Sequence, residues 1–64
     1  MFPNYTQVRL TQDVPCTLGE LGDEGTVLDK LESGDNTQFY IVELPTKQDI
    51  VTVPEKWIVN VDLN

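Results

Sequence analysis

The sequence predicts a small all-β fold, five short strands closed as a barrel, and three observations carry that expectation. Apolar residues fall in clumps of strand length in which β-branched residues dominate. Runs of Gly, Pro, Asp, Asn and Ser punctuate the clumps. No segment keeps helical apolar spacing over the roughly ten residues that a helix needs. With 64 residues there is material for one core, so residues 1–64 are expected to form a single domain.

The elements follow in order. Residues 5–10 form a first strand, with Val8 and Leu10 alternating against Gln7 and Arg9. Residues 11–23 hold Pro15, Gly19 and Gly22 and read as an irregular excursion. A second strand, residues 25–31, opens on Thr26-Val27-Leu28, and Glu32-Ser33-Gly34-Asp35-Asn36 suits a hairpin turn. The third, residues 38–44, is so rich in aromatic and aliphatic side chains that it reads as a central strand covered on both faces. Pro45 ends it, residues 46–49 turn, and residues 50–53 make a fourth strand. Pro54-Glu55-Lys56-Trp57 reads as one tight turn, because proline fixes its φ and cannot donate to a ladder. Residues 58–61 close as a short fifth strand. Closure would remove exposed sheet edges. The expected core is Val8, Leu10, Val27, Tyr40, Val42, Leu44, Val51, Val53 and Ile58.

Eleven acids face four bases, a net charge of −7. Residues 13–35 hold seven of those acids against Lys30 alone, a local charge of −6. Such a field repels phosphate backbones and anionic lipid and favours basic partners, so neither nucleic acid nor a membrane surface is an expected ligand. No apolar run approaches the ~20 residues of a membrane span, and the start of the chain lacks the charged and apolar regions of a signal peptide. Cys16 stands alone, which rules out an internal disulfide. A cytoplasmic location is the expectation.

Chemistry is sparsely supplied. The chain has no histidine, so Ser-His-Asp and Cys-His arrangements cannot be built. Cys16 has no base nearby in sequence to activate it and reads as a small buried or loop-packing residue. Asp23-Glu24 and Gly34-Asp35-Asn36 offer oxygens, but lack the alternating spacing and distal glutamate of a calcium loop, and they fit turn chemistry better. No phosphate-cradling glycine pattern is present. No enzyme, cofactor or metal is expected. Trp57 reads either as a cap on one end of the core or as a half-exposed anchor for a protein contact.

Two stretches carry a family resemblance. Val53-Pro54-Glu55-Lys56-Trp57-Ile58 resembles the end of an SH3 domain, where the turn is a short 3₁₀ helix and the proline and aromatic line a peptide groove. Val8-Arg9-Leu10 followed by Leu21-Gly22-Asp23-Glu24-Gly25-Thr26-Val27 resembles the opening of bacterial SH3-like barrels, whose glycines permit a positive φ and close approach. Together these motifs, with Tyr40-Ile41-Val42-Glu43-Leu44, resemble an uncharacterised bacterial family catalogued as a domain of unknown function. That resemblance implies a five-stranded SH3-like barrel with a 3₁₀ turn before the last strand. A weaker likeness is to SH3-like accessory subunits of photosynthetic electron-transfer complexes, which are more basic. The acidic, tyrosine-rich opening of peptide-binding SH3 domains is absent, as is their third-strand tryptophan, so proline-rich peptides are not expected ligands.

The function expected is therefore non-enzymatic binding of a basic protein. Glu20, Asp23, Glu24 and Asp35 would supply the acidic face, and Tyr40, Pro54 and Trp57 the apolar contact. Two other functions fit the same features: an acidic antitoxin, immunity or phage-type inhibitor, and an accessory subunit of a larger complex. Sequence leaves the oligomeric state open.

Overall fold

A computed structural model describes residues 2–61. Five strands appear where the apolar clumps stand: β1 (Gln7–Leu10), β2 (Glu24–Glu32), β3 (Gln38–Leu44), β4 (Asp49–Pro54) and β5 (Ile58–Asn60). One 3₁₀ turn, η1 (Glu55–Trp57), joins β4 to β5, with Pro54 as its N-cap at φ −70°. The strands make one antiparallel sheet in the order β4-β3-β2-β1-β5, so the last strand returns beside the first. That sheet is open, with β4 and β5 as its edges. Among the described residues, no helix is long and apolar enough to cross a membrane.

All nine expected core residues are buried, each at most 3% exposed. The alternation in β1, β3 and β4 produces this directly, because successive side chains leave a strand on opposite sides. In β3 that means Tyr40, Val42 and Leu44 point to the core, Phe39 and Ile41 are half-buried, and Glu43 is exposed. β3 thus lies between β2 and β4 in the ladder but is covered on one face only, not both.

A bulge in β2 sets the parity beyond it. Val27 pairs with Val42, yet the next pair is Asp29 with Ile41, which leaves Leu28 as the extra residue. An uninterrupted strand would turn Leu31 inward with Val27. The shift instead pairs Leu31 with Phe39 on the outer side.

The two glycines of the Gly22–Gly25 motif divide the work expected of them. Gly22 takes the positive φ, +91°, in the turn leading into β2. Gly25 supplies the close approach: a Cβ there would lie 2.2 Å from the Glu43 carbonyl oxygen.

Two further contributors complete the core. Val14, within the 11–23 loop, is 6% exposed, held by its N–H donating to the Gly19 carbonyl at 3.0 Å. Phe2 packs edge-on to Tyr40, with centroids 5.3 Å apart and planes at 77°. The Phe2 N–H also donates to the Tyr40 hydroxyl at 2.9 Å, which satisfies the one polar atom of that buried ring.

Candidate functional site

The acidic loop is a built structure, and its carboxylates do most of the building. Asp13 accepts the Leu21 N–H at 2.8 Å, and Asp23 accepts the Glu20 N–H at 2.9 Å. Asp49, at the start of β4, accepts the Leu18 N–H at 3.1 Å and so ties the loop to the β3–β4 turn. Lys47 from that turn reaches back, pairing with Glu20 and lying 3.7 Å from Asp23. This hydrogen bond to Glu20, reinforced by the two negative charges, raises the Lys47 pKa above its ordinary 10.5. Arg9 forms a second pair, with Glu24 across the β1–β2 ladder at 3.0 Å.

Asp35 belongs to another part of the molecule. In the β2–β3 turn its carboxylate accepts the Ser33 hydroxyl and the Thr37 N–H, the latter at 3.1 Å. The Ser33 hydroxyl first, then the Thr37 hydroxyl and N–H, lower its pKa from 3.8 to about 2. Asn36 takes φ 69° to close the turn, as asparagine tolerates.

The seven expected contact residues therefore do not form one patch. Glu20, Asp23 and Glu24 stand at one end of β2 and Asp35 beyond the other. The nine residues of β2 span about 26 Å when extended. Tyr40 is a correction: it is 0% exposed, with its hydroxyl taken by Phe2, so it has no surface to offer a partner. Pro54 and Trp57 are both half-buried, at the end of β4 and on η1. Trp57 packs against the core while keeping part of its ring exposed, and its carbonyl accepts the Thr11 N–H at 2.8 Å. Cys16, expected to be packed, is exposed at φ 64° in the loop.

Sequence reasoning did not find Lys47 or Arg9 as the partners of the acidic loop, since pairs 27 and 15 residues apart leave no local signature. Among the described residues, no group of three or more His, Cys, Asp or Glu side chains could hold a metal ion. A shallow concavity of about 360 Å³ opens beside the β3–β4 turn, lined by Glu43, Pro45, Gln48, Asp49 and Ile50. No family model matches the chain, and no curated protein or solved structure is detectably similar to it.

Proposed function

We propose that the chain is an SH3-like barrel that works in the cytoplasm as a non-enzymatic interaction module and binds a basic protein. The SH3-like assignment draws support from the return of β5 beside β1, the 3₁₀ turn between Pro54 and Ile58, and the glycines before β2 and near its start, Gly22 and Gly25. One observation carries the functional part: the net charge is −7, and among the described residues no charged side chain is buried, so the acids there stand at the surface. Lys47 and Arg9 compensate only part of the loop, and the Glu20 and Glu24 side chains remain 67% and 57% exposed. A field of that sign accelerates encounter with a basic surface. Beside the root of the loop, the half-exposed ring of Trp57 provides an apolar anchor.

The test is capture of the partner from native lysate, followed by kinetics with the purified pair. Its on-rate should fall steeply with salt while the off-rate hardly changes, and Glu20→Gln with Glu24→Gln should lower the on-rate alone. Trp57→Ala should raise the off-rate by about tenfold or more. Binding indifferent to salt and to both glutamates would leave the charge as a solubility device and overturn the proposal.

A further inference from the structure

The outer side of β2, β3 and β4 also carries exposed apolar side chains. Leu31, Phe39 and Pro54 stand in one row across the three strands, Asp29, Ile41 and Thr52 in the next, and Thr26, Glu43 and Ile50 in the third. Leu31 and Ile50 are 50% and 55% exposed. Phe39, Ile41 and Pro54 are half-buried. The apolar positions thus run diagonally from the first row through Ile41 to Ile50. At ~4.8 Å between strands and ~6.8 Å between same-side residues, the stripe is about 15 Å long and 10 Å across. Two to three turns of an α-helix have about that footprint.

Charge says what kind of helix would fit. Asp29 and Glu43 flank the stripe on its β2 side, and its far end opens into the concavity beside Ile50. None of the residues in the three rows is a lysine or arginine. We propose that this side of the sheet docks a basic amphipathic helix of another protein. Its apolar stripe would lie on Phe39, Ile41 and Ile50, and its lysines or arginines would lie against Asp29 and Glu43. A second copy of the chain fits poorly, because a two-fold pairing brings these carboxylates together with no base to meet them. The inference rests on the basic-partner function above and adds a contact on the sheet to the one at Trp57.

The experiment titrates ¹⁵N-labelled protein with a short synthetic peptide of leucine and lysine patterned as an amphipathic helix. Two controls run beside it, one with glutamate for lysine and one with the same composition scrambled. Shifts should concentrate at Leu31, Phe39, Ile41, Glu43 and Ile50. Both controls should bind at least about tenfold more weakly, a difference of about 1.4 kcal/mol. Ile50→Ser and Leu31→Ser, both at exposed positions, should weaken binding without lowering the thermal midpoint. Shifts confined to residues 11–23 and Trp57 would overturn the sheet surface and leave the basic-partner function standing. Equal binding of the scrambled peptide would also overturn it, and binding of no basic peptide would overturn both. A concentration-dependent dimer abolished by Ile50→Asp would make a second copy the occupant and overturn the helix.

Discussion

The two sides of β2, β3 and β4 are built from the same strands and differ in almost every physical respect. On one side Val27, Tyr40, Val42, Val51 and Val53 are at most 2% exposed; on the other, Leu31 is 50% and Ile50 55% exposed. The side chains are chemically alike, so composition does not make the difference. What does is where the rest of the chain goes: Phe2, β1, Val14 and β5 all contribute to the core side. Among the described residues, no second layer of secondary structure lies on the outer side. An apolar residue in a strand therefore signals the strand, while its coverage depends on elements elsewhere in the chain.

The comparison breaks first where backbone, rather than side chain, lies against a residue. Gly25→Ala would put a Cβ 2.2 Å from the Glu43 carbonyl and within 2.9 Å of Leu44 and Val42. A ladder carbonyl cannot yield as a side chain does, so a loss of about 3 kcal/mol or more is expected. At so small a size that approaches the whole stability. Far-UV circular dichroism at 25 °C should show a largely unfolded chain; a folded variant would mean that β2 and β3 separate more easily than the register implies.

Next in size is a matched pair from the two sides. Val42→Ala opens space in the core and should cost ~1–3 kcal/mol, whereas Ile50→Ala should stay within ~0.5 kcal/mol. Chemical denaturation of both variants decides it. Equal losses would show that the outer side is covered in solution.

Much of this was legible in sequence, and the misses have a common cause. The strands, the tight turn at Pro54 and the nine core residues follow from alternation and punctuation, which are local. Tyr40 was legible as core, and for that reason could not also be the contact residue expected of it. Val14 was hidden because a lone valine between Asp13 and Pro15 has no periodicity to betray it. The bulge that turns Leu31 outward, the docking of Phe2 on Tyr40 and the pairing of Lys47 with the loop are all matters of register or long-range contact. The acidic segment looked like one face because it is contiguous in sequence, yet a nine-residue strand runs through its middle.

Tyr40→Phe probes how firmly the core side is sealed. The variant keeps the ring and removes only the acceptor of the Phe2 N–H. A loss of about 0.5–1.5 kcal/mol is expected, with faster amide exchange at the start of the chain. An unchanged midpoint and unchanged exchange would mean that the edge-on ring contact alone holds Phe2 in place.

The smallest expected effect lies where neither side of the sheet is involved, in the turn that joins β2 to β3. Asp35 is fully exposed, and its lowered pKa arises from the Ser33 hydroxyl and then from Thr37 rather than from any buried charge. Because the folded value, about 2, lies below the ordinary 3.8, the folded state favours the ionised carboxylate. Its contribution to stability is therefore present above pH 3.8 and is lost as pH falls through about 2. A ¹³C-detected titration of the side-chain carboxyl should show a midpoint near the lower of these values. Asp35→Asn should remove that step from the acid limb of the stability profile and lower the midpoint slightly at neutral pH, the loss being small because the amide oxygen can still accept from the Thr37 N–H. A carboxyl titrating at its ordinary value would mean that the turn opens in solution. The Asp35 charge would then be released from the Ser33 hydroxyl and the Thr37 N–H that hold it.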